Sequence, residues 1–166
     1  MHRKILLIVF SVCLLLRGVC YGEHPYSSRM QDFVRNVYDD YGSQAFAEVY
    51  AAMYPRIAEL VSEEEYVAFQ QHHSAKLSLK LTDVAVGDVS ENPRLPRTLR
   101  QMVAEDASLQ VYGVDVKYRA HFVSGTQRTQ RISKTVYVAL VGAGTPQESL
   151  YLLWDPSAME EEESKP

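Results

Sequence analysis

Cysteine is scarce and poorly placed for structure. Of 166 residues only Cys13 and Cys20 are cysteines, both near the start of the chain. Beyond them there is no thiol to form a disulfide or a cysteine-ligated metal site, so stability has to come from packing. Long hydrophobic runs are missing as well. The one long apolar stretch, residues 5–16 (ILLIVFSVCLLL), ends at Arg17, well short of the ~20 residues that cross a bilayer as a helix. Excess positive charge is also lacking. With 17 Lys+Arg against 21 Asp+Glu the net charge is −4, which argues against nucleic acid or an anionic membrane as a partner held by bulk electrostatics.

Catalytic motifs are equally sparse. Gly-x-Ser-x-Gly, Ser-x-x-Lys and His-Glu-x-x-His are absent, and Gly142-Ala143-Gly144 lacks the third glycine and the following helix of a dinucleotide site. His24, His72, His73 and His121 are scattered apart from one adjacent pair. On a helix that pair projects about 100° apart and cannot share an ion easily. Neither a metal nor a cofactor is expected.

What is present begins with a leader. His2, Arg3 and Lys4 precede the apolar run, and Cys20-Tyr21-Gly22 places small residues at −3 and −1 of a break before Glu23. This is the pattern of a secretory signal peptide over residues 1–22, and it predicts a secreted or periplasmic protein without a transmembrane anchor. Lipid attachment at Cys20 is the weaker alternative, because Arg17 and Val19 stand where a lipoprotein carries Leu and a small residue. Cleavage removes three basic residues and none of the 21 acidic ones, so the net charge of −4 becomes −7. Residues 23–156 then read as a single domain, and residues 157–166, with Glu160 to Glu163, as an acidic disordered tail. With 46% of the full chain hydrophobic, a domain of this size can bury one core.

The first third of that domain has helical periodicity. Ser28 and Gln31 are spaced for a capping box, followed by Met30, Phe33, Val34, Val37, Tyr38 and Tyr41 on one face. Gly42 is placed for a left-handed helix end, and Ser43 to cap a second helix carrying Phe46, Val49, Tyr50, Met53 and Tyr54. Pro55 breaks that helix and opens a short new one through Leu60. Ser62 and Glu65 form a second capping box before Tyr66, Phe69 and His73.

From Leu77 the period changes to two. Leu77, Leu79 and Leu81, then Val84 and Val86, predict a strand bulged near Asp83. Pro93 and Pro96 exclude residues 90–98 from a central strand, and Leu95, Leu99, Met102 and Val103 allow a short helix. Tyr112, Val114, Val116, Tyr118, Ala120 and Phe122 alternate with Gly113, Asp115, Lys117, Arg119 and His121 in the longest strand. Residues 124–130 read as a polar turn, Ile132, Val136, Val138 and Leu140 as a partner strand, and residues 150–154 as a last short one. Helices followed by an antiparallel meander predict an α+β fold, with N-terminal helices packed on a curved, cone-shaped antiparallel sheet.

This order of elements resembles the nuclear transport factor 2-like superfamily, whose fold ketosteroid isomerase shares. Residues 62–70 (SEEEYVAFQ) and 150–157 (LYLLWDPS) are similar to the N-terminal non-catalytic domain of low-affinity penicillin-binding proteins. The resemblance covers roughly residues 28–157 and implies an extracytoplasmic, non-catalytic binding or scaffold module. In those proteins the chain continues into a dimerisation and a transpeptidase domain; this sequence ends in the acidic run instead. The superfamily also implies an alternative, a small-molecule isomerase or hydrolase using the cone cavity. Its residues would be Asp115 as base, His121 beside it, and Tyr38 or Tyr50 as hydrogen-bond donor.

The competing account of Asp115, Lys117, Arg119 and His121 is a solvated sheet face, since the opposite face holds the apolar residues. Lys117 and Arg119 on that face are candidate ligand- or partner-binding residues. So are Arg97 and Arg100 in residues 92–100 (NPRLPRTLR), with Arg128 and Arg131 adding charge nearby. The expected partner is a protein or a small apolar ligand, and a homodimer through the exposed sheet is an expectation from fold analogy.

Overall fold

The computed structural model describes residues 25–159 apart from 105, 107 and 125. The expected signal peptide and Glu160 to Glu163 lie outside the described residues.

Helix α1 (Ser27–Gly42) forms because Met30, Val34, Val37 and Tyr38 recur on one face, and all four are buried. Its start differs from the expected capping box. Tyr26 is the N-cap without a side-chain bond, and Gln31 Nε2 instead donates to the Gly87 carbonyl at 2.8 Å. That carbonyl sits beside a register shift in the first strand, so Gln31 serves a tertiary contact rather than the helix end. The other end also shifts. Gly42 stays helical and the left-handed residue is Gln44 (φ 63°), because the Ser43 amide still bonds to Asp39 O at 2.9 Å. Ser43 Oγ donates to Asp40 O, and helix α2 (Phe46–Ala51) starts at Ala45 with no side-chain cap.

Pro55 opens a 3-10 turn (Pro55–Glu59), as its missing amide hydrogen requires. Just before it, the Tyr54 amide donates to Leu152 O at 2.9 Å and the Leu152 amide to Ala52 O at 2.8 Å. These bonds clip the helical layer to the last strand. Helix α3 (Glu63–Leu77) has the expected box: Glu65 N donates to Ser62 Oγ, and Ser62 N to Glu65 Oε2 at 2.9 Å. Its inward face differs from the expected one, being Tyr66, Gln70 and Ser74. Phe69 and His73 stack on each other at 6.1 Å along its flank.

Ser78, left-handed at φ 45°, ends α3. Leu77 is therefore the last helical residue, and the strand expected from there begins three residues later. Strands β1 (Lys80–Glu91), β2 (Gln110–Ser124), β3 (Thr126–Val141) and β4 (Ser149–Leu153) form one antiparallel sheet in chain order. Asp83 (φ 54°) lies in the register shift between Thr82 and Ala85, the expected bulge. Helix α4 (Arg97–Val103) buries Leu99 and Met102 between β1 and β2 in sequence.

The β2–β3 ribbon is longer than the alternation indicated. Ser124 pairs with Thr126, and the ladder is unbroken from there to Gln110 and Leu140. Residues 126–130 therefore belong to a strand, not to a polar turn. Near the tip both faces meet solvent or an open hollow, so no apolar phase marks them. At the other end Gly113 is required by proximity: a Cβ there would lie 2.8 Å from Ser90 Oγ, 2.9 Å from Thr135 Cγ2 and 3.1 Å from Pro93 Cβ. The loop after β1 thus presses on the sheet face opposite α1.

Helices come first and cover one face of an open four-stranded antiparallel sheet, an α+β plan. Residues 157–159 form a helical turn in which Met159 packs on the core. The packed chain thus passes the expected boundary at 156. Among the described residues no helix is long and apolar enough to cross a membrane.

Candidate ligand cavity

Between the helices and the sheet lies a cavity of about 730 Å³, within the ~300–1,000 Å³ range of small-molecule sites. Helix α1 contributes Val37, Tyr38 and Tyr41, and α3 contributes Tyr66, Gln70, His73 and Leu77. The sheet supplies Leu81, Tyr118, Ala120 and Phe122 from its first two strands, and Arg128, Gln130, Ile132, Lys134 and Val136 from β3. Leu152 to Asp155 close one side. Thr135 and Tyr137 border it too, at the edge of β3 that β4 leaves unpaired before Tyr137.

Pairing explains why these groups converge. Opposite residues share a face in an antiparallel ladder. Phe122, Ala120, Tyr118 and Val116 oppose Arg128, Gln130, Ile132 and Lys134 in turn. Tyr38 of α1 meets Tyr118 with ring centroids 5.5 Å apart, which places this face toward the helices. Lys134 therefore stands in the apolar phase of β3, between Ile132 and Val136. Its Nζ lies 5.6 Å from the Tyr38 ring centroid and 5.8 Å from that of Tyr118, a double cation–π arrangement.

Electrostatically the cavity has two characters. Lys134 is open to solvent in the hollow, yet protein surrounds it on most sides, and that desolvation draws its pKa below the ordinary lysine value. Desolvation raises the phenols of Tyr38, Tyr66 and Tyr118, and pushes Tyr41 up to about 12. All four stay protonated at neutral pH and present O–H donors. Tyr41 spends its donor on Gln70 Oε1 at 2.9 Å. The hydroxyls of Tyr38 and Tyr118 make no hydrogen bond to protein among the described residues.

The expected site residues fall in different places. Tyr38 lines the cavity, whereas Tyr50 donates to Val61 O at 2.8 Å and packs on Tyr66. Asp115, Lys117 and Arg119 are exposed on the face of β2 opposite the buried Val114 and Val116. Asp115 Oδ1 accepts from Thr135 Oγ1 at 2.9 Å, and Arg119 pairs with Asp83 at 3.1 Å. His121 bridges three strands, with Nε2 2.8 Å from Thr82 Oγ1 and Nδ1 2.9 Å from Thr129 Oγ1. The alternation of β2 sets Asp115 and Tyr38 on opposite sides of the strand, so the acid–base arrangement expected of an isomerase is not assembled.

Arg97 and Arg100 are exposed on α4, Arg100 donating to Leu95 O at 3.2 Å. Arg128 lines the cavity while Arg131, three residues on in the same strand, faces the other way. Those two arginines therefore do not form one patch. No group of three or more His, Cys, Asp or Glu among the described residues is placed to hold a metal ion.

Sequence reasoning passed over Lys134 and Gln70, and took Arg128 for added charge in a turn rather than a cavity residue. The signal for Lys134 was there: in the alternation of Ile132, Val136, Val138 and Leu140 it is the charged residue in the apolar phase. Gln70 gave none, because a glutamine in a charged helix reads as solvated. No protein-family model matches the sequence, and no curated protein matches it significantly.

Proposed function

We propose that this chain is an extracytoplasmic, non-catalytic binding module of the nuclear transport factor 2-like type that holds a small, mainly apolar molecule in its cavity. The observation that carries the reading is the cavity itself: about 730 Å³ walled by aliphatic and aromatic side chains, with a few convergent polar groups. The leader pattern in residues 1–22 supports export. The order of helices and sheet supports the fold family, and the placement of Asp115 outside the cavity favours binding over catalysis.

The test is a thermal-shift and fluorescence-displacement screen with steroids, fatty alcohols, hydrophobic acids and cell-wall fragments. A true ligand at 100 times its Kd adds about 2.7 kcal/mol of stability. The effect should vanish in Ala120→Trp, which fills the hollow from the sheet side. A panel that leaves the wild-type melting temperature unmoved and displaces no probe overturns the reading.

A further inference from the structure

Resting on the cavity as a ligand site, we infer that its ligand is an amphipathic anion: an apolar chain or ring system ending in a carboxylate that pairs with Lys134. Three observations converge on this chemistry.

The first is an ammonium without a counter-ion. Among the described residues no carboxylate lies within 4.0 Å of Lys134 Nζ, although Lys134 stands on the apolar side of β3 next to Ile132 and Val136. A cation held among apolar groups gains most from a partner that brings the opposite charge. The second is the pair of uncommitted hydroxyls on Tyr38 and Tyr118, whose rings flank the same ammonium at 5.6 and 5.8 Å. A carboxylate has two oxygens and accepts from Nζ and from phenolic O–H groups together. The rings already carry a cation on their faces, so they do not form an empty cage for a quaternary ammonium ligand.

The third is the charge balance of the wall. The acid that lines the cavity, Asp155, is already engaged: its Oδ1 accepts from Ser157 N at 3.1 Å and Ser157 Oγ at 2.8 Å. Arg128 adds a second cation toward the tip of the ribbon. Elsewhere the wall includes Val37, Leu81, Ala120 and Ile132, which suits a hydrocarbon body. A neutral apolar ligand would leave the ammonium unpaired, and a cationic one would meet it as a like charge.

Calorimetric titration with three probes of one chain length, kept below their micelle concentrations, tests the inference: dodecanoate, dodecanol and dodecyltrimethylammonium. Wild type should bind dodecanoate about tenfold or more tightly than dodecanol, the scale of one charge-assisted bond, and the ammonium probe most weakly. Lys134→Met should bring dodecanoate down to the dodecanol level while leaving dodecanol within about twofold, since its apolar contacts persist. Lys134→Arg should restore the carboxylate preference, which separates charge pairing from a packing change. Lys134→Gln gives the same reading should the Met variant fold poorly. Equal affinity for dodecanoate and dodecanol, or a preference untouched by Lys134→Met, overturns the anion inference and leaves the cavity reading standing. Tightest binding of the ammonium probe also overturns it. No binding of any probe removes the cavity reading, and the inference with it.

Discussion

The two ends of the β2–β3 ribbon share one alternation and do different things with it. At the end nearer β4, Tyr112 and Val114 face Val138 and Val136, and each of these is buried, with Val114 and Val138 at 0% exposure. At the hairpin end, Tyr118 and Phe122 are only half-buried and their partners are Ile132 and Arg128. The strand pattern is continuous, so what changes is the material above it. Helix α1 packs on the first end, while the second borders the hollow under α1 and α3. An apolar phase in a strand therefore marks the side turned toward the helices, without saying whether that side is filled.

Substitutions at matched positions sharpen the contrast. The largest expected loss is at the packed end. Leu140→Ala removes a side chain at 0% exposure and should lower stability by about 2–5 kcal/mol, because close-packed neighbours relax only partly around the gap. At the hairpin end, Phe122→Ala should cost less than about 1 kcal/mol, since its half-buried ring already borders open space. Urea unfolding measures both. Equal losses would mean that the hollow is closed in solution and that the ribbon has no distinct ends.

The smallest effect concerns the tie that positions the β3–β4 loop against α1. Glu148 accepts from Gly144 N at 2.8 Å and from Arg29, and chiefly that amide bond holds its carboxyl below the usual carboxylate range. A depressed folded-state pKa contributes stability above the ordinary carboxylate pKa and loses it as pH falls through the folded value. Wild type should therefore melt a little higher than Glu148→Gln at about pH 7, with the gap narrowing as pH falls below the ordinary carboxylate range. A gap that widens in acid would show that Glu148 does not hold the loop through its charge.

Much of this architecture was legible in advance, for local reasons. The capping box at Ser62 and Glu65, the short turn opened by Pro55 and the bulge at Asp83 each depend on chemistry within a few residues, and the structure has all three, although the helix before Pro55 ends already at Ala51, short of Met53 and Tyr54. Readings that needed a distant partner went differently. Ser28 and Gln31 have the spacing of a cap, yet Gln31 is used by the Gly87 carbonyl, 56 residues away in sequence. Residues 126–130 look like a turn because no face there is dry, yet pairing with β2 makes them strand.

The candidate site follows the same division. Periodicity determined that Val114 and Val116 would share a face with Tyr118, and that Asp115, Lys117, Arg119 and His121 would share the other, because successive side chains in a strand alternate. The sequence also placed Lys134 in an apolar phase. Only the packing of α1 and α3 over the sheet decided that this phase would be left partly unfilled, with two tyrosine rings against an ammonium that has no acid beside it among the described residues. Volume left between elements is a property of their relative placement, and no residue-by-residue pattern encodes it.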